Sequence, residues 1–170
     1  NGFIDNTETL VSLLYKEGQS FSEVTDGTVN SAELIAKLIL RGKSISDGIE
    51  DMFSKIEGSC SLLILTEKGI YAARDKYGYT PLVLGQRQDD WAITTETTAF
   101  RNLGYEIKKY LDPGEIILLD ESGMNPVHKG TKRAQVCAFL WIYTGFPASS
   151  YEGISVEVVR EKCGKCLAKG

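Results

Sequence analysis

Histidine is nearly missing from the 170-residue sequence. Its one imidazole, His128, excludes a multi-histidine metal site. A serine–histidine–aspartate site stays open on one histidine, but His128 lies in the turn-like stretch Asn125-Pro126-Val127-His128-Lys129-Gly130, where a solvated side chain is the ordinary outcome. Apolar runs such as Leu62–Leu65 fall far short of the roughly 20 residues that span a bilayer, so no membrane partner is expected. No basic segment followed by an apolar one marks a secretory leader, and the opening residue is Asn1 rather than Met, so the native amino terminus is expected upstream. The 19 Lys and Arg are scattered among 23 Asp and Glu, for a net charge of −4, and no basic footprint suits nucleic acid. The single CxxC, Cys163-Gly164-Lys165-Cys166, has no second pair to complete a zinc site. Internal repeats, low-complexity tracts and long linkers are also missing.

What is present is an ordinary globular composition, 42% hydrophobic and 25% charged, at a length that fits one domain. In an acidic chain of pI about 5.1, Cys60, Cys137, Cys163 and Cys166 read as free thiols or ligands rather than disulfides, which suits the cytoplasm. The first half is patterned as three helices. Asn6 is placed to cap one with Leu10, Leu13 and Leu14 on its apolar face and Gly18 as its stop. Asn30 or Ser31 starts a second, with Leu34, Ile35, Leu38 and Ile39 on one side. Ser46 starts a third, carrying Ile49, Met52, Phe53 and Ile56, with Gly58 closing it. The pattern then changes to strands over Cys60–Thr66, Ile70–Arg74, Leu82–Gly85, Trp91–Thr95 and Glu115–Leu119, with Asp112-Pro113-Gly114 as a strong turn. Val136–Tyr143 reads as a late aromatic strand and Ser155–Lys169 as a terminal helix with Val156, Val159, Cys163 and Leu167 in line. A helical layer followed by antiparallel strands predicts an α+β layered fold.

Few residues name a chemistry. The Asn1 side-chain amide beside the Gly2 backbone N–H offers two donors that can converge on an oxyanion, although Asn-Gly is more often a turn. Asp26, in Val24-Thr25-Asp26-Gly27, can grip an ammonium group or simply form a turn. The Arg74–Asp75 pair is expected to be an ion pair pinning a hairpin. Cys163 and Cys166, three residues apart on a helix, are expected to pack in the core, as buried thiols commonly do, and Cys137 is apolar by default.

Taken in order, the residues resemble a known family. Asn1-Gly2 with Asn6 and the helix after it, Gly58–Thr66, Ile70–Gly78, Pro81–Gly85, Thr95–Thr97 with Ala99-Phe100, Leu103–Glu106, Pro113–Ile116, Cys137–Tyr143 and Gly153–Val156 with Arg160 are similar, over nearly the whole chain, to the glutaminase domain of the amidophosphoribosyltransferases. Glucosamine-6-phosphate synthase resembles the first helices but lacks the aromatic segment, and asparagine synthetase shares the Arg-Asp…Gly…Pro-Leu hairpin.

The resemblance implies an N-terminal-nucleophile hydrolase sandwich, four layers in α-β-β-α order, here incomplete, with residues 1–143 as the partial glutaminase domain and 144–170 leading toward a phosphoribosyltransferase domain. It implies that Asn1 and Gly2 are oxyanion donors and that Asp26 holds the α-ammonium of glutamine. It further implies a purine-biosynthetic enzyme, a transferase that passes ammonia from glutamine to phosphoribosyl pyrophosphate, cytoplasmic and homo-oligomeric when intact. It implies Mg for the intact protein, and some members carry an iron–sulfur cluster, with Cys137 at the position of one ligand. Departures accompany the match. The family's N-terminal Cys and an Arg for the glutamine carboxylate are not in this sequence, Gly27–Ser31 read as a five-residue insertion after Asp26, and Leu140 stands where an acid is expected. The 170 residues alone are therefore expected not to hydrolyse glutamine. An inactive binding or structural domain is the alternative, and a half-built sheet predicts self-association through an open edge.

Overall fold

A computed structural model describes residues 2–25 and 27–169, and the chain divides into two compact units, Asn1–Cys60 and Ser61–Gly170. The first unit opens with strand β1 (Gly2–Ile4) and helix α1 (Thr7–Lys16). A small hairpin, β2 (Val24–Thr25) and β3 (Thr28–Val29), leads to α2 (Ser31–Ile39), α3 (Ile45–Lys55) and β4 (Gly58–Cys60). The expected helical stripes form the buried set: Leu10 and Leu14 from α1, Leu34, Leu38 and Ile39 from α2, and Ile49, Met52 and Phe53 from α3. Helices α2 and α3 meet closely at Gly48, where an added Cβ would lie 1.9 Å from the Ile39 carbonyl oxygen.

Two of the expected caps differ. Helix α3 is capped by Ser44, not Ser46. Ser44 has the extended backbone a cap requires, and its Oγ accepts from Asp47 N at 3.1 Å. Asn6 precedes α1 but makes no side-chain cap. Its amide instead donates to the Lys55 carbonyl at 2.9 Å and accepts from Glu57 N at 3.0 Å. That bridge ties the start of α1 to the end of α3, beside the antiparallel β1–β4 ladder. Asn30 caps α2 as expected, accepting from Ala32 N at 2.8 Å.

The second unit contains strands β5 (Leu62–Thr66), β6 (Gly69–Ala73), β7 (Val83–Arg87) and β8 (Asp90–Thr94), helix α4 (Thr98–Leu103), and strands β9 (Glu106–Tyr110), β10 (Ile116–Asp120) and β11 (Gly123–His128). A π-helical turn (Leu140–Thr144), a short hairpin of β12 (Ser150–Tyr151) and β13 (Ile154–Ser155), and helix α5 (Val156–Leu167) complete it. Its main sheet has the order β11-β10-β6-β5 and a second sheet the order β8-β7-β9, all antiparallel. Ala72, Leu82, Leu84, Leu111, Ile117 and Leu119 form one buried cluster, flanked by Trp91, Ile93 and Met124. The α+β class is therefore as expected.

Four local expectations are overturned here. The late aromatic strand is a wound segment: Ile142 N donates to Ala138 O at 3.1 Å and Gly145 N to Leu140 O at 2.8 Å. It pairs with no strand among the described residues, although the Trp141 side chain donates to Ile154 O of β13 at 3.0 Å and packs edge-on against Tyr151 of β12. The Arg160 guanidinium instead serves the carbonyls of Trp141 (2.8 Å), Tyr143 (3.2 Å) and Gly145 (2.8 Å). Carbonyls outside a ladder need other partners, and here a charged donor supplies them without a sheet. The second correction concerns Arg74, which does not pair with Asp75. It is fully buried and donates to Leu111 O (2.5 Å), Gly78 O (2.6 Å) and the Glu152 carboxylate (2.6 Å). The Asp75 carboxylate accepts instead from the N–H groups of Tyr77 (3.0 Å), Tyr79 (3.1 Å) and Thr80 (3.0 Å) and from the Ser61 hydroxyl (3.3 Å). Third, Cys163 and Cys166 are exposed rather than in the core, because α5 buries only Val156. Last, His128 ends strand β11 rather than sitting in a turn.

Candidate active site

Gly2, one of the two expected oxyanion donors, is on the first strand. Gly2 lies on β1, opposite Cys60 of β4, not in the turn that Asn-Gly ordinarily makes. Its φ is +155°, and a Cβ there would sit 1.9 Å from the Ser59 carbonyl oxygen. Only glycine permits that approach, so the backbone at this position is set by how closely two strands run. Asn1 and Asp26 lie outside the described residues. The chain on either side of Asp26 forms the β2–β3 hairpin, with Val24 opposite Val29 and Thr25 opposite Thr28. Beside this hairpin is a cleft of about 410 Å³ lined by Ser22, Glu23, Val24, Thr28, Val29 and Asn30.

The hairpin is anchored by a residue the sequence reading did not single out. Glu33, in the first turn of α2, accepts from Ser22 N with both carboxylate oxygens (3.0 and 3.1 Å), from the Ser22 hydroxyl (3.2 Å) and from Glu23 N (3.0 Å). These backbone donors hold its carboxyl below the usual carboxylate range, with Lys37 adding a smaller pull in the same direction. On the far strand, Asn30 N donates to Glu23 O at 3.0 Å and its side-chain amide to the Glu23 carboxylate at 2.5 Å. The signal was the Asn-x-x-Glu spacing of Asn30 and Glu33, which resembles a capping box. In a capping box the acid returns to the cap residue's own N–H; here Asn30 N is taken by Glu23 O, and Glu33 is free to hold the preceding loop.

Cys137 lies in the irregular segment before the π-helical turn, half-buried. The Tyr79 hydroxyl donates to its sulfur, and this contact raises the phenol above its ordinary pKa. Among the described residues no group of three or more His, Cys, Asp or Glu is placed to hold a metal. Cys137 thus brings one thiol, which does not make up the ligand set of an iron–sulfur cluster, and no step of the chemistry is routed through one. No helix among the described residues is long and apolar enough to cross a membrane.

Helices and antiparallel sheets, with a glycine on β1 whose backbone admits no Cβ, give the α+β class. The comparisons make the class particular. Residues 1–102 match the family model of the glutamine amidotransferase domain. The amidophosphoribosyltransferase of Methanocaldococcus jannaschii is 32% identical over 99% of this chain and 39% of its own length; that of Bacillus subtilis is 30% identical over 99% and 35%. The solved structure of glutamine phosphoribosylpyrophosphate amidotransferase from B. subtilis, complexed with ADP and GMP, superposes with a TM-score of 0.86 at 29% identity, covering 99% of this chain and 37% of that one. This chain belongs to the glutamine amidotransferase domain family, with the N-terminal-nucleophile hydrolase fold of the amidophosphoribosyltransferases. It spans a little over a third of the length of those relatives.

Proposed function

We propose that this chain is the glutaminase portion of an amidophosphoribosyltransferase, releasing ammonia from glutamine for transfer to phosphoribosyl pyrophosphate. The observation that carries the reading is a family match that begins at the Asn1-Gly2 pair, together with a backbone at Gly2 that admits no side chain. In such a reaction a thiolate attacks the carboxamide carbon of glutamine. The carbonyl π electrons move onto oxygen; as the tetrahedral oxyanion collapses to a thioester, the C–N bond breaks with its electron pair on nitrogen, which takes the proton shed by the thiol and leaves as ammonia, and water then hydrolyses the thioester to glutamate and the thiol. What this chain brings to that sequence is stabilisation of the oxyanion, from the Asn1 amide and the Gly2 N–H. The Asp26 carboxylate brings recognition, pairing with the substrate's α-ammonium. Residues 1–143 form the glutaminase part and residues 144–170 lead from it toward a phosphoribosyltransferase, where ammonia meets the activated ribose to give phosphoribosylamine for purine synthesis. The intact enzyme is cytoplasmic and homo-oligomeric, with Cys137 offered to a cluster whose other ligands lie elsewhere.

The test is glutamate release by the full-length natural product, with and without phosphoribosyl pyrophosphate. Wild-type protein should hydrolyse glutamine. Asn1→Ala should lower kcat by about 10²–10³-fold, the usual consequence of losing one oxyanion donor. An active enzyme indifferent to Asn1→Ala, or a full-length product that releases no glutamate, would overturn the reading. The second outcome would favour an inactive binding domain.

A further inference from the structure

We infer that Glu33 is a positioning residue for glutamine recognition: it clamps the hairpin that carries Asp26. The inference rests on the reading of Asp26 given above. Gly27–Asn30 connect Asp26 to α2, and each residue in such a connection multiplies the conformations that must be excluded before a carboxylate is in place. The structure shows how this connection is restrained. The near end is held by Glu33 through Ser22 and Glu23, and the far end by Asn30 through Glu23. Two further contacts seat the same loop: Phe21 packs edge-on against Tyr15 at 5.4 Å between ring centroids, and Lys37 stands over the Phe21 ring at 5.7 Å.

The anchor point is favourable for a physical reason. Glu33 occupies the first turn of α2, where a carboxylate is stabilised by the helix dipole, and its backbone is fixed by the helix. Its two oxygens accept two consecutive N–H groups, so the loop is held in direction as well as in distance. Charge-assisted hydrogen bonds of this kind are stronger than neutral ones. The consequence falls on substrate binding and not on the chemical step, because the clamp holds Ser22, Glu23 and Asn30, which flank Asp26 in the chain, and not Gly2. A substrate whose ammonium is gripped equally in the ground state and the transition state loses KM, and not kcat, when the grip is loosened.

The experiment uses the full-length protein and measures glutamine kinetics alongside amide hydrogen exchange over residues 21–30. Glu33→Ala should raise the glutamine KM by about tenfold or more with kcat within about twofold, and it should speed exchange at Ser22 and Glu23. Glu33→Gln keeps an acceptor oxygen and should recover much of the KM. Ser22→Pro removes the shared donor from outside the helix, so it leaves α2 whole and should shift KM in the same direction. Asp26→Asn, run in parallel, should raise KM without altering exchange at Ser22 and Glu23. If Asp26→Asn raises KM and Glu33→Ala and Ser22→Pro do not, the clamp is wrong and the substrate reading stands. If Asp26→Asn leaves KM unchanged, the substrate reading of Asp26 fails and the clamp's role with it, even where exchange shows that the loop was held. A drop in kcat larger than the rise in KM also overturns the inference.

Discussion

Replacing Arg74 with methionine should be among the most damaging single changes in the second unit. Its guanidinium is fully buried and ends on three acceptors: the Leu111 and Gly78 carbonyls and the Glu152 carboxylate. Methionine fills much of the stem's volume and isolates the loss of the head group. Removing one partner of a buried ion pair typically costs about 3–5 kcal/mol, and a buried carbonyl left without a donor adds about 1–3 kcal/mol. Two terms soften the sum. The Glu152 side chain keeps 29% of its surface, so water can solvate it, and the Arg74 Nε has no partner in the wild type, so its own burial cost is relieved. A net loss of about 3–5 kcal/mol is expected, or a fall in Tm of roughly 6–20 °C for a chain of this size. Both tryptophans, Trp91 and Trp141, lie in the second unit, so denaturant unfolding followed by tryptophan fluorescence reports on that unit. Glu152→Gln should cost less, since an amide oxygen still accepts from Arg74. A double-mutant cycle between the two should give a coupling of at least about 1 kcal/mol. An Arg74→Met protein within about 1 kcal/mol of wild type, or a coupling near zero, would refute the assignment of Arg74 as the tie between these segments.

Other outcomes follow from the same coordinates. Ser44→Ala should destabilise the chain by about 1 kcal/mol through loss of the α3 cap, whereas Ser46→Ala should be nearly silent; equal effects in thermal melts would contradict the cap assignment. Tyr151 is held protonated by burial and by its hydrogen bond to Glu96. Its folded pKa is raised above the unfolded value of about 10, so its contribution is full below that pH and declines as pH climbs past it. Tyr151→Phe should therefore flatten the alkaline end of the stability–pH curve, and parallel curves for the two proteins would count against this. Strand β5 is the outer strand of its sheet and exposes Leu63 and Leu65, an arrangement that invites strand pairing between molecules. The 170-residue chain should self-associate in sedimentation, and Leu65→Lys should shift it toward monomer.

How much of this was visible in the sequence depended on the length and polarity of each element. Helices α2 and α3 were legible because apolar residues at helical spacing coincide with buried positions such as Leu34, Leu38, Ile49 and Met52. Strands β5 to β8 and β10 showed themselves as short apolar segments bounded by turns. Strand β1 is three residues long and has no period to detect. Strand β9, Glu-Ile-Lys-Lys-Tyr, is polar because it lies at the edge of its sheet. Strand β11 contains Asn125-Pro126, which reads as a turn; an edge position tolerates proline, and the ladder shifts register between Ile116 and Ile117, opposite this segment. The aromatic segment failed for another reason: an unbroken apolar run does not distinguish strand from helix, and the deciding partner, Arg160, comes 19 residues after Trp141. In the site, Gly2 drew notice for its N–H, and nothing around it marked it as a strand residue. The work of Glu33 was hidden because its bonds reach back ten and eleven residues.

The pairing of Gly2 with Cys60 gives the first unit an inlet and an outlet side by side. Neighbouring strands run only about 5 Å apart, so the chain enters and leaves the unit through one narrow gate. Residues can be added inside such a closed loop without displacing what lies beyond its doorway. A change of length in the hairpin between α1 and α2 can therefore be absorbed locally while the ladder at the threshold keeps its alignment.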